Sequence, residues 1–539
     1  MVIKHFHNVA DVRRILLKVS VLACLLQVIF YLDNVDCCIV NILSIGVSYA
    51  GLSYLFRPKM LYYPISFMML FGYLLSYFIL PPIITLLEGK QVINNLKNPL
   101  DIYLHTTALF VTLVLTHIIY RNFKPTRNVA KFYRTVYSKL TIFQPLNVSQ
   151  VFLMGFASLF FISITAPFRH VSGNDDTLIK LLEGFSIISY LPYILFVPKL
   201  FPVTGTMSEG QRRLLYLYPI SSVIVGIAQN HRSDIFFGFT NIGLLLILAN
   251  LYGMTKSIDK SKLLLYALVG GVLLFGVLPR VALSLVAVRE DRTEMSTSEL
   301  IAKTFDAMGD DEKIKSTLAF YEASDTWDEN YVDNVFFSRL CNLKYADNSI
   351  DIANNLIGKD KQSVIDIEID RALSWFPTPV IDLLGMKVNK KQALSGSSGD
   401  FLLQLFTGDD WVVGGFRVGN LLGSSYAIFD WWYLLVIGGL ALLLFTIVDQ
   451  LVQINVTRND RVTQKGQVNV TFSYFAGLKT ANLCFFCTSA GPGIESISEF
   501  FGFFFRGWIE VPFLMFILMV LLVRRSPAYL KKSPAGLAA

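Results

Sequence analysis

Apolar runs long enough to cross a bilayer recur along this chain, separated by short polar connections. They lie near 15–32, 37–55, 60–85, 101–120, 149–167, 182–198, 214–229, 233–253, 262–285, 430–450, 467–487 and 508–523, which predicts twelve helical spans. The first run starts behind Lys4, Arg13 and Arg14 and shows no small-residue cleavage site, so it reads as a retained signal anchor. One long polar interruption, 286–429, predicts a soluble domain. Within it, "STSELIAKTFDAMG" sets Ser296 and Glu299 at capping-box spacing and repeats Ile301, Phe305 and Met308 at helical intervals. "ENYVDNVFFSRLCNLKY" predicts a second helix with a stripe of Val332, Val335, Phe336, Leu340 and Leu343. Arg339 falls on that apolar face, where a charge needs a partner.

Composition turns the pattern into a class. Of 539 residues, 53% are hydrophobic, 16% are charged and 43 are Phe, more apolar surface than a soluble protein requires. With the N-terminus inside, one face receives 24 Lys and Arg, among them the run Arg121, Lys124, Arg127, Lys131, Arg134 and Lys139. The short connections on the opposite face receive 6, a bias that places both termini in the cytoplasm and 286–429 outside. That domain holds 14 Lys and Arg against 23 Asp and Glu, which excludes a bulk electrostatic trap for nucleic acid. The expectation is an all-α polytopic membrane protein: spans one to nine over 1–285, a mainly helical outer cap over 286–429, and spans ten to twelve with the C-terminus over 430–539.

Candidate chemistry sits where the pattern is broken. "NHRSDIFFGF" spends a short outward turn on His231 and Arg232 just before a helix start at Ser233, and a guanidinium beside free helix amides suits phosphate oxygens. Arg280 and Lys479 lie inside apolar runs, where charges are costly and line a cavity or meet an anionic partner. In "GDDWVVGGFRVGNLLGSSYAIFDWW", Gly414, Gly415, Gly419 and Gly423 surround Arg417, and Asp409 and Asp410 stand beside them. Arg169 and His170 are further outward polar residues. Cys341 is alone in the cap, so no disulfide framework is available there; the Cys484/Cys487 pair reads as packing, and the sequons at Asn455 and Asn469 carry no weight on the cytoplasmic side.

The "HRS" turn leading a late span, one large outer loop before the last spans, and the exit "GGFRVGN…YAIFDWW" together resemble bacterial Wzy-type oligosaccharide repeat unit polymerases of the O-antigen ligase-like superfamily. The resemblance is mainly architectural. It implies a GT-C-like, metal-independent, cofactor-free inverting glycosyltransferase that moves a growing glycan from undecaprenyl pyrophosphate to the next lipid-linked unit on the periplasmic side. Arg232, Arg280, Arg339 and Arg417 would neutralise the pyrophosphate, and His231, Asp409 or Asp410 would serve as base. The implied partners are the lipid-linked oligosaccharide, the bilayer and, as one option, a chain-length regulator. Two departures stand out: the cap has no histidine, which disfavours a ligase, and Asp430 occupies a position where the family more often has glycine. A ligase and a polysaccharide flippase are the alternative readings.

Overall fold

The computed structural model describes residues 7–165, 184–228, 232–254, 276, 278–288, 297–314, 316, 327–356, 361–376, 378–458, 466–486 and 494–523. Regular structure in these residues is helical apart from two small two-stranded ladders. Among the described residues, four segments are long and apolar enough to cross a membrane: Val35–Leu55, Pro64–Leu87, Pro99–Asn122 and Leu421–Leu451. Shorter apolar helices occur at Val148–Ile164, Phe185–Phe196, Phe237–Leu251 and Trp508–Leu522. Most of the expected ninth span lies outside the described residues.

Helix α1 (His7–Phe30) pairs with α2 (Val35–Leu55), and both pack on α3 (Pro64–Leu87). Pro81 and Pro82 remove two amides from the α3 ladder, and the helix widens into a π-turn at Leu75–Ile79. The carbonyl of Ser76, inside this turn, accepts the amide of Asn342 at 3.3 Å. Helix α4 (Pro99–Asn122) leads into the basic helix α5 (Lys124–Lys139) across an extended Phe123. After α6 (Val148–Thr165) come a 3-10 helix at Phe185–Phe196, α7 (Glu209–Ala228) and α8 (Arg232–Leu251). Strands β1 (Leu146–Asn147) and β2 (Val203–Thr204) tie the foot of α6 to the segment before α7.

In the expected cap the regular elements described are helices: α9 (Leu278–Ala287) enters it, followed by α10 (Thr297–Gly309), α11 (Val335–Leu340), α12 (Leu343–Leu356), α13 (Lys361–Ser374) and α14 (Ser398–Thr407). The single helix expected across "VFFSRLCNLKY" is two, broken at Cys341 and Asn342, where the Asn342 amide bonds the Ser76 carbonyl of α3. Helix α12 is buried along its length although it carries Lys344, Asp347 and Asn348. It packs on α15 (Leu421–Phe429), which turns at Asp430 into α16 (Tyr433–Val448).

The expected span at 467–487 takes another form. Gly466–Phe472 is strand β4, antiparallel to β3 (Val452–Arg458), and only Tyr474–Cys484 is helical, as α17. At 11 residues α17 is about half the length that crosses a bilayer. The chain then returns antiparallel: Ile494 donates to Phe486, and ring contacts Phe486–Phe500 and Phe475–Trp508 run down the pair formed with α18 (Ile497–Gly502) and the start of α19 (Trp508–Leu518).

Two buried carboxylates brace opposite ends of α4. Near its C-terminus, Asp449 accepts the amides of Ile65 (3.0 Å) and Ser66 (2.9 Å) and the Ser66 hydroxyl (2.6 Å), filling the donors that open α3 behind Pro64. His117 Nε2 bonds Ser66 Oγ at 2.9 Å and its Nδ1 bonds the Tyr54 hydroxyl at 2.7 Å. At the other end, Asp347 of α12 accepts the amides of Lys97 (2.9 Å) and Asn98 (3.0 Å), just before Pro99. The surrounding contacts Lys90–Asp333 (2.5 Å), Lys97–Asp351 (2.9 Å) and Glu88 to the Asp333 and Asn334 amides (2.7 and 3.1 Å) lay the 327–356 region on the Glu88–Asn98 connection.

Asp449→Ala strips an acceptor from buried amides and should cost about 3 kcal/mol, a strong hydrogen bond plus desolvated donors. Asp449→Asn keeps the Oδ1 acceptor that both amides use and should cost about 1 kcal/mol or less. Denaturant unfolding in detergent measures both, and equal losses would mean that charge, not amide capping, is what matters there.

Candidate functional site

Residues 408–420 return the chain from the cap to α15, and their fold is set by Asp400. Ser397 and Asp400 form a reciprocal capping box at the start of α14. Asp400, fully buried, also accepts the amides of Gly414 (3.2 Å), Phe416 (2.7 Å) and Arg417 (3.0 Å), and Ser397 Oγ donates to the Arg417 carbonyl. The next two amides go to other acids: Val418 to Glu329 at 2.6 Å, and Gly419 to Glu495 at 3.0 Å. Gly414 (φ 99) and Phe416 (φ 53) supply the left-handed turns that aim these amides inward. A side chain at Gly419 would meet the Gly399 amide nitrogen at 2.8 Å, so this glycine lets two backbones touch.

Beneath this segment lies a paired set of charges. Arg371 of α13, almost wholly buried, donates through Nη2 to Glu499 at 3.1 Å and through Nη1 to the Gly396 carbonyl at 2.7 Å, and its guanidinium lies 5.1 Å from the Phe401 ring centre. Glu499 accepts the Glu495 amide at 2.8 Å, while Ser498 donates its amide to Glu368 at 3.0 Å. Burial, then the neighbouring Glu499 charge, pushes the Glu495 carboxyl well above the ordinary glutamate range. Glu499 is also raised by burial, with Arg371 pulling the other way. Across this cluster the fold favours a proton over a second negative charge.

The residues singled out in the sequence are dispersed differently from expectation. His231, Arg169 and His170 lie outside the described residues; Arg232 is the first residue of α8, and its side chain is not described. Arg417, expected to reach a ligand, instead holds the Val412 carbonyl at 2.7 Å and Asp400 at 3.3 Å, and the amides around it are already filled by carboxylates. Asp409 and Asp410 stand on an exposed turn, where Asp410 accepts from Gln404 at 2.8 Å. Lys479 is buried in α17 with its ammonium 5.7 Å from the Phe503 ring centre and Glu510 near enough to act on its charge, an internal arrangement.

Arg280 and Arg339 come together by element. Helix α9 packs on both α10 and α11, and α10 packs on α7. Val281 and Leu285, on the same helix as Arg280, form one apolar cluster with Val223 of α7 and with Ile301 and Met308 of α10, so α7, which precedes Arg232 in the chain, packs near the helix that carries Arg280. Arg280 pairs with Asp311 at 3.0 Å and both are exposed; half-buried Arg339 has no ion pair among the described residues. Sequence reasoning missed Arg371, Glu495 and Glu499. The signal available was "SISE", with capping-box spacing, of which the structure forms the N-cap half: the Ser496 side chain accepts the Glu499 amide.

Asp430 adopts φ 48, a backbone region that favours glycine, and its carboxylate is held by Lys361 at 2.8 Å. The sequence departure at this position therefore leaves the turn intact.

Because Glu495 has a raised folded pKa, its contribution to stability is complete below the unfolded glutamate value and is lost as pH rises through the folded one. Glu495→Gln keeps an acceptor for Gly419 without the charge. The variant should melt higher than the parent at pH 8, with the gap closing toward pH 5. A gap independent of pH would show that Glu495 is not the group that titrates.

No protein-family model, curated protein or solved structure matches this chain.

Proposed function

We propose that this chain is a metal-independent, inverting glycosyltransferase of the GT-C kind, embedded in a bacterial inner membrane by about twelve spans, with 286–429 as its periplasmic cap. It polymerises lipid-linked oligosaccharide repeat units. The hydroxyl of an incoming unit attacks the anomeric carbon of the growing glycan, the bond to undecaprenyl pyrophosphate breaks, and the hydroxyl proton passes to a base, His231 in this reading. The observation that carries the proposal is the grouping of α9 and α11, which bear Arg280 and Arg339, with α7, which leads to Arg232. Arg339 has no competing ion pair among the described residues, and the Arg280–Asp311 pair joins exposed groups. Such a surface pair is worth about 0–1 kcal/mol, so an incoming pyrophosphate can displace Asp311.

Fixed guanidinium groups stabilise the charge that grows on the departing pyrophosphate, and their forked geometry matches its oxygens. Arg417 drops out of this set because its guanidinium is engaged by Asp400 and Val412. Asp409 and Asp410 are set aside as bases, since both stand on an open turn.

A second reading, transport of a lipid-linked sugar, draws on the half-length helix α17 and its antiparallel return, since interrupted helices mark substrate paths in transporters. One experiment separates the two: purified protein, a lipid-linked repeat unit and a chelator, read for a glycan ladder and for released undecaprenyl pyrophosphate. Arg232→Ala, Arg280→Ala or Arg339→Ala should each lower polymer formation by roughly a hundredfold at matched abundance, with lysine restoring part of it. Near-normal ladders from Arg280→Ala and Arg339→Ala would sink the site, and movement of intact lipid-linked sugar without pyrophosphate release would favour transport.

A further inference from the structure

Helix α5 divides into three faces. Thr126 and Tyr137 are buried against the bundle and Tyr133 partly so; Tyr137 accepts from the Trp508 indole at 2.7 Å, and Arg134 donates to Gln450 at 3.2 Å. Val129, Phe132 and Val136, spaced along one side, are 42%, 62% and 36% exposed. Around the helix from them stand Lys124, Arg127 and Lys131, with Lys139 at the rim of the apolar side, and the sequence KPTRNVAKFYRTVYSK contains no acid.

We propose that α5 is an interfacial helix that binds the anionic headgroups of phospholipids at the membrane face where α4 ends. Its place argues for this occupant. α4 is long and apolar enough to cross a membrane, and its exposed Leu115, Ile118 and Ile119 run toward Phe123, itself exposed, at the junction with α5. The break at Phe123 and Pro125 starts a new helix at the edge of the apolar zone. An apolar face of Val129, Phe132 and Val136 then continues the lipid-facing surface, while Lys124, Arg127 and Lys131 occupy a side turned from it and Lys139 stands at its rim one turn beyond Val136, the arrangement of helices that lie in the plane of the bilayer. Arg127 is anchored on the Arg121 carbonyl at 2.9 Å, closing the α4 terminus. Lys124, Lys131 and Lys139 have no ion pair among the described residues, and an anionic headgroup supplies the missing charge.

The test is hydrogen exchange on the purified full chain in lipid discs of phosphatidylcholine alone or with phosphatidylglycerol added. Amides of α5 should exchange more slowly by about fivefold in the anionic discs, the factor that a single lysine or arginine near such a surface is worth. High salt should remove the difference. The triple variant Lys124→Gln, Lys131→Gln, Lys139→Gln changes only exposed side chains and should erase the difference while leaving α4 unaltered. Equal α5 exchange in the two lipids overturns the proposal, whatever the variant does. Phe132→Trp should also add fluorescence quenched by brominated acyl chains beyond that of the parent's six tryptophans; no added quenching would assign this face to a protein partner and likewise overturn it.

Discussion

At the helix starts and turns that join distant parts of this molecule, backbone amides without a helix or strand partner are repeatedly satisfied by carboxylates. An ionised carboxylate accepts several N–H groups at once and bonds each more strongly than a neutral acceptor does. Asp449 takes the amides that open α3, Asp347 those before α4, Glu88 those of Asp333 and Asn334, and Asp400 those of the returning segment. Each acid lies far along the chain from the amides it caps, except Asp400. The long-range connectivity of the fold thus follows from the shortage of donors and acceptors around proline-led helix starts and glycine-rich turns.

The same constraint decides which polar groups remain for a ligand. Glycines around an arginine suggest amides free to bind an anion, yet Asp400, Glu329 and Glu495 fill those amides from within. Desolvated, internally satisfied amides cannot also receive phosphate oxygens without expelling a buried carboxylate. Among the arginines singled out in the sequence, Arg280 meets only an exposed partner and Arg339 has no ion pair among the described residues; α9, which carries Arg280, is held by the apolar contacts of Val281 and Leu285, and α11 packs on it. Buried Lys344 follows the opposite logic: burial lowers its pKa, and Asp347 at 3.4 Å is its counter-charge.

What was legible in the sequence is what depends on local pattern. Apolar runs announced the long helices, and the "STSELIAKTF" periodicity announced α10. The misreadings come from non-local partners. Arg339 was placed on a continuous stripe, but the helix breaks where Asn342 crosses to the carbonyl freed by the α3 prolines, and nothing in "LCNLKY" reveals that vacancy. Strands β3 and β4 did leave a signal: Val452, Ile454 and Val456 alternate with polar residues opposite Val468, Val470 and Phe472. That alternation was hidden because hydropathy averaged over a span-length window merges a half-apolar strand with the helix that follows it.

The interruption around α17 bears on how the membrane part can move. Asn241 of α8 inserts its amide where the α17 ladder would close, donating to the Gly477 carbonyl at 2.8 Å and accepting the Ala481 amide at 3.1 Å. Both freed backbone groups are thereby consumed by one rigid, fully buried side chain. In transporters the groups released by an unwound helix are the ones that coordinate substrate or ion, and they must be free to exchange partners. Here exchange would first require breaking two hydrogen bonds in a water-poor interior, where each unsatisfied group costs about 1–3 kcal/mol. Asn241 therefore pins the middle of α17 to α8 as a fixed contact. Under the glycosyltransferase reading proposed above, such a fixed contact suits cations that would have to stand in position before a pyrophosphate begins to leave.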